Sequence, residues 1–146
     1  MASQNYQRAI TVSGSAQNAF ANISRVADWW ASDFTGSSRK PQDSFTVRFG
    51  DVWVTFRVIE VTPNRKIVWQ VTDCHLSWLE DKSEWKDTRL VWNVSEADGG
   101  TRIEFTHEGL VPEMECFKDC SIGWDSYIQK SLFKLATEGK GLPDGF

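Results

Sequence analysis

The feature that most constrains this chain is an alternation of apolar and polar residues, repeated in segment after segment between residues 45 and 107. Phe45, Val47 and Phe49 alternate with polar neighbours. Val52, Val54, Phe56 and Val58 alternate with Trp53, Thr55, Arg57 and Ile59. The pattern returns in Ile67, Trp69 and Val71, in Leu90, Trp92 and Val94, and in Ile103, Phe105 and His107. Successive side chains of a strand point to opposite faces, so a period of two marks strands with one buried face. Gly50-Asp51, Pro63-Asn64 and Asp98-Gly99-Gly100 separate these segments. Short turns of that chemistry join antiparallel neighbours into hairpins.

Register follows from the turns. With Gly50-Asp51 as a two-residue turn, Val47 pairs with Val54 and Phe45 with Phe56. A two- or four-residue loop at Pro63-Asn64 pairs Phe56 with Val71 and Val58 with Trp69. With Gly99-Gly100 as the third turn, Asp98 pairs with Thr101, Trp92 faces His107 and Val94 faces Phe105. All three hairpins then place their apolar sets on one concave face, an agreement that a one-residue slip destroys. The same parity sends Asp73 inward, opposite Val54, and Trp53 outward.

Helical spacing appears at the two ends of this block. After a first strand over residues 6–12, Ser13-Gly14-Ser15 offers a helix cap, and Ala16, Ala19, Phe20 and Ile23 recur at helical intervals. A second short turn carries Val26, Trp29 and Trp30, and residues 35–43 read as loop. The last element is a long helix from Pro112 to Gly139, with Glu113 and Glu115 at its positive end. About 27 residues at 1.5 Å each would span roughly 40 Å, enough to cross the sheet. Its inner stripe is Phe117, Cys120, Trp124, Tyr127, Ile128, Ser131 and Leu135, with Gly123 beside it. A helix that only filled a core would carry more Leu and Ile.

These elements predict an α+β fold in which a curved antiparallel sheet wraps a long C-terminal helix. The 146 residues suit one domain, spanning 1–146. Eight Trp against two Tyr supply stiff flat walls that can leave space between them. The net charge of −4, with its basic residues scattered, gives no footprint for nucleic acid. No stretch approaches the roughly 20 apolar residues of a membrane span. Residues 1–8 lack the apolar run of a signal peptide, so a cytoplasmic location is expected. Cys74, Cys116 and Cys120, an odd number with no secretion signal, are expected to be free thiols. Cys116 and Cys120 share a helix face near His107, yet their spacing is not that of a structural zinc site, and no metal is expected. No phosphate-binding loop, paired-carboxylate motif or Ser-His-Asp order is present, and no cofactor is expected.

The order of elements resembles the helix-grip fold of the START-like superfamily, also called SRPBCC, which includes the birch-pollen allergen and polyketide cyclases. The closer resemblance is to its bacterial branch of proteins like the activator of heat-shock ATPase. It is carried by Val71-Thr72-Asp73, Glu84-Trp85 with Thr88, and Phe105-Thr106-His107-Glu108-Gly109-Leu110. It continues through Pro112, Glu115-Cys116, Cys120, Gly123-Trp124, Tyr127, Ser131-Leu132 and Gly139-Lys140-Gly141. The superfamily implies a cavity between sheet and helix for a small hydrophobic molecule. The branch implies chaperone contact, a function of a two-domain eukaryotic protein whose second domain is not expected within these residues.

Three functions are therefore open: binding of a hydrophobic, aromatic or acyl ligand by a monomer or homodimer; an enzyme of cyclase or hydrolase type; and a chaperone-interaction module. The expected cavity wall comprises Trp29, Val54, Phe56, Trp69, Val71, Leu90, Trp92, Phe105, Cys120, Trp124, Tyr127 and Ile128. Asp73, Thr88 and His107, with His75 near, would form a polar cap at the end of the sheet where the long helix starts. An imidazole held by a carboxylate is a general base, which makes His107 and Asp73 the catalytic candidates. The alternative for His107 is a buried histidine tied to nearby groups. The segment over residues 75–86, flanked by Trp78 and Trp85, is either a lid over the cavity or a solvated turn pinned by two rings.

Overall fold

The computed structural model describes residues 4–144. Seven antiparallel strands form one sheet: β1 (Tyr6–Val12), β2 (Phe34–Gly36), β3 (Ser44–Phe49), β4 (Val52–Thr62), β5 (Lys66–His75), β6 (Arg89–Ala97) and β7 (Gly100–Glu108). Their spatial order is β1-β7-β6-β5-β4-β3-β2, so the chain meanders from β2 to β7 and its first strand closes the far edge. Helices α1 (Ala16–Ser24) and α2 (Val26–Trp29) connect β1 to β2, and the Ser15 hydroxyl accepts from the Asn18 amide as the N-cap. Helix α3 (Phe117–Ser126) runs without a break through a π-helical segment (Tyr127–Leu132) into α4 (Phe133–Glu138). It lies on the concave face as the α+β helix-grip architecture requires. Gly139 ends it in the left-handed conformation, φ 80°.

The concave face is built as the alternation predicts. Val47 pairs with Val54, Phe45 with Phe56, Phe56 with Val71 and Val58 with Trp69. Trp29, Trp69, Trp92, Phe45, Phe56 and Phe105 are fully enclosed. Their rings touch one another: Trp92 lies 4.3 Å from Phe105 and 5.5 Å from Trp69, which lies 5.0 Å from Phe45. The centre of the interior is therefore a solid aromatic core.

Six expectations need correction. The turn between β6 and β7 is Asp98-Gly99, with Ala97 opposite Gly100, so Trp92 faces Phe105 and His107 faces Leu90. Only Gly99 takes the left-handed φ of 78°. Gly100 belongs to the strand, where a Cβ would sit 2.0 Å from the Val12 carbonyl oxygen. The shift is two residues, so each side chain keeps its face.

Asp73 points outward and is exposed. The ladder pairs Phe56 with Val71 and then Thr55 with Asp73, which leaves Thr72 as an extra residue. That bulge reverses the parity of everything after it, bringing buried Cys74 opposite Val54. His75 consequently stacks on Trp53, with ring centroids 6.5 Å apart, and is not part of a cap with His107.

A second bulge at Ile59 allows a three-residue loop over 63–65 while keeping Val58 and Trp69 inward. The edge strand β2, Phe34–Gly36, takes in the first two residues of the expected loop. The long helix begins at Phe117 and not at Pro112. The Glu84 carboxylate accepts from the amides of Glu115 and Cys116 at 2.9 and 3.0 Å, capping the helix from another segment of chain.

Candidate functional site

Five elements meet at the end of the sheet where β4 and β6 start, β5 and β7 finish and α3 begins. Residues 76–87 close over this end. Their position is fixed by two reciprocal carboxylate contacts. Glu84 caps the start of α3, and the Glu115 carboxylate accepts from the amides of Glu80 and Asp81 at 3.0–3.3 Å. Charge-assisted bonds of this kind are among the stronger ones a surface segment makes.

Beneath this segment His107 is completely enclosed. Its two ring nitrogens are both engaged. The Trp124 indole N–H donates to Nδ1 at 3.1 Å, so Nδ1 carries no proton and the hydrogen sits on Nε2. Nε2–H donates to the Thr88 hydroxyl at 2.9 Å, and that hydroxyl donates to the Trp85 carbonyl at 2.6 Å. Every donor in the chain has an acceptor. Burial pushes the His107 pKa down to about 3, so the imidazole is neutral at ordinary pH. This arrangement leaves no lone pair for a substrate proton, and Asp73 is not present to orient the ring. His107 is a positioning residue that holds Trp124 and, through Thr88, the backbone of Trp85.

Those two tryptophans are walls of a pocket of about 390 Å³. Phe49, Val52 and Val54 come from the β3–β4 hairpin. Leu76, Trp78 and Trp85 come from the covering segment. Asp119, Cys120, Gly123 and Trp124 come from α3, Tyr127 from the first residue of the π segment, and Trp30 from the end of α2. Trp85 and Trp124 stack with centroids 5.9 Å apart and planes 9° from parallel, and Trp30 packs 5.0 Å from Trp124. Gly123 leaves space that a side chain would occupy. A π-helical turn displaces the residues that follow it relative to a regular helix, and such turns often mark functional positions.

Of the residues expected at the cavity, Val54, Cys120, Trp124 and Tyr127 line this pocket. Trp29, Phe56, Trp69, Val71, Leu90, Trp92, Phe105 and Ile128 lie in the packed core instead. Thr88 and His107 stand behind the pocket wall. Trp30, Phe49, Val52, Leu76 and Asp119 line the pocket although they are not among the residues expected in the cavity wall. Phe49 and Val52 had the correct parity, but their place beside the turn is what puts them at the rim.

Cys116 and Cys120 are joined in a disulfide, which corrects the expectation of free thiols. The bridge spans the first turn of α3, where residues four apart share a face. The Trp85 indole N–H donates to Cys116 Sγ at 3.1 Å. Cys74 remains a free buried thiol whose pKa is raised by burial. Among the described residues no cluster of His, Cys, Asp and Glu is arranged to hold a metal ion, and no helix is long and apolar enough to cross a membrane.

A sequence model of the activator of Hsp90 ATPase homolog 1-like proteins matches residues 18–137. No curated protein matches the chain by sequence. Among solved structures, the chain is similar to the Aha1 dimer from Colwellia psychrerythraea, with TM-score 0.78, 20% identity, and coverage of 94% of this chain and 99% of that one. It is similar to DynU16 of the dynemicin biosynthetic locus at TM-score 0.71 and 16% identity, covering 92% of this chain and 48% of DynU16. It is also similar to MLL2253 from Mesorhizobium loti, at TM-score 0.72 and 13% identity, covering 90% and 96%. At these identities the likeness is one of fold.

Proposed function

The chain belongs to the family of activator of Hsp90 ATPase homolog 1-like proteins, and from that footing we propose that it binds a small, predominantly apolar molecule at the end of the sheet. The observation that carries this reading is the pocket of about 390 Å³, walled by Trp30, Phe49, Trp78, Trp85, Trp124 and Tyr127. Pockets for small molecules run from roughly 300 to 1,000 Å³ and are lined mainly by apolar and aromatic groups. Two of the walls are held by hydrogen bonds from their indole nitrogens, so the site is largely formed before a ligand arrives. Preorganisation of this kind reduces the ordering cost of binding. The neutral, doubly engaged His107 favours binding over acid–base catalysis.

The assembly proposed with this function is a homodimer or a monomer. The Colwellia structure is a dimer, and sedimentation at several concentrations separates the two states for this chain.

The test is native mass spectrometry of freshly purified protein, followed by fluorescence titration with whatever molecule co-purifies. A bound molecule whose addition shifts the emission of wild-type protein, and shifts it less in Trp78→Ala, supports the reading. Ligand binding undiminished by Trp78→Ala and by Gly123→Leu would place the site elsewhere.

A further inference from the structure

The charge of the pocket wall restricts what can occupy it. Resting on the reading above, we propose that the pocket selects organic cations, aromatic or alkyl ammonium compounds, over neutral and anionic molecules of the same shape.

Four of the lining residues are tryptophans: Trp30, Trp78, Trp85 and Trp124. The indole face carries the negative side of a quadrupole and is the strongest side-chain partner for a cation. The single ionisable carboxylate of the wall is Asp119, and no Lys, Arg or His lines the pocket. The ion pairs among the described residues lie elsewhere, so Asp119 is not neutralised by one.

The start of α3 would ordinarily oppose this preference, because a helix N-terminus favours anions. Here the Glu84 carboxylate accepts from the amides of Glu115 and Cys116, the two residues just before the helix, and the Glu115 carboxylate accepts from the amides of Glu80 and Asp81 in the covering segment. Two further negative charges thus sit at the same end of the helix as Asp119. The nearby basic groups do not offset them within the pocket. The Lys82 ammonium donates to the Leu79 carbonyl at 2.8 Å, and neither Lys82 nor Lys118 lines the pocket. A carboxylate ligand such as a fatty acid would enter a site with no cationic partner and an unpaired like charge.

The experiment compares three benzyl probes by calorimetric titration at low ionic strength: benzyltrimethylammonium, its uncharged carbon isostere neopentylbenzene, and the smaller anion phenylacetate. Wild-type protein is set beside Asp119→Asn and Trp78→Ala. The cation is expected to bind about tenfold tighter than the neutral isostere, the scale of one desolvated cation–aromatic contact with a rim carboxylate. Phenylacetate should bind weakest. Asp119→Asn should reduce cation affinity several-fold and affect the neutral probe far less, and Trp78→Ala should weaken both. Equal or tighter binding of the neutral isostere overturns the charge preference and leaves the apolar pocket standing. Saturation by none of the three overturns both readings.

Discussion

The enclosure of His107 makes a quantitative prediction about acid stability. The buried imidazole has its pKa pushed down to about 3 from the usual 6.5, because the charged form would lose its hydration. Between those values the unfolded chain binds a proton that the folded protein refuses. The folded state is therefore fully favoured by this group above about pH 6.5 and loses stability as pH falls toward 3. At pH 4.5 the unfolded imidazole is almost wholly protonated, two units below its pKa. At 1.36 kcal/mol per unit, the loss relative to neutral pH is about 2–3 kcal/mol. Carboxylates titrate over the same range, so the comparison is with His107→Gln, whose amide can accept from Trp124 and donate to Thr88 without titrating. Urea unfolding of both proteins from pH 7 to pH 4.5 gives the difference. Wild type should lose about 2–3 kcal/mol more than the variant over that interval, even where the variant is the less stable protein at pH 7. Stability curves that run parallel would refute the reasoning, since they would mean that His107 titrates alike in the folded and unfolded states.

Two other perturbations test the packing around the pocket. Glu84→Ala leaves the Glu115 and Cys116 amides without their carboxylate. It should cost about 1–2 kcal/mol, as loss of an N-cap does, and amide exchange should quicken at residues 80, 81, 115 and 116 together. Unchanged exchange at 80 and 81 would show that the two carboxylate contacts are independent. The denatured, unreduced protein should present one reactive thiol, Cys74, and three after reduction. Closing a loop of about five residues contributes roughly 2 kcal/mol in the chain-entropy account, and dithiothreitol should lower unfolding stability by that order. Three thiols before reduction would refute the bridge.

Much of the fold was legible because alternation and turn chemistry are local. The inward set of β3, β4 and β6 follows from period-two patterning, and a register error of two residues at Asp98-Gly99 left every face correct. Gly99 and Gly100 are identical in sequence but differ in what the fold asks of them. Gly99 supplies the positive φ, whereas Gly100 is small because β1 passes against it, and β1 is about ninety residues away in sequence. Asp73 was lost for a similar reason. A bulge adds one residue to one strand, and nothing in Val71-Thr72-Asp73 marks Thr72 as the extra one. The cap on α3 comes from Glu84, 31 residues before the amide it holds, so the helix start could not be read from Pro112. The free-thiol expectation rested on compartment and on an odd count, neither of which bears on whether two cysteines four apart share a helical face.

The polar end expected from sequence does exist, but its chemistry is directed into the fold. His107, Thr88 and the Trp85 carbonyl form a closed chain of donors and acceptors, and the consequence is mechanical. The Trp124 ring is fixed by its bond to His107, the Trp85 ring by its bond to Cys116, and Trp30 by its stacking on Trp29 and its tilted contact with Trp124. Three of the four tryptophan walls are thus held in place by groups behind them. Trp78 differs: it is 49% exposed, and among the described residues it has neither a hydrogen bond nor a ring partner. A pocket with three fixed walls and one exposed ring admits a ligand most readily past that ring. On this argument Trp78→Ala should accelerate ligand dissociation more than it alters association, because removing the ring opens the exit while the fixed walls still define the encounter site.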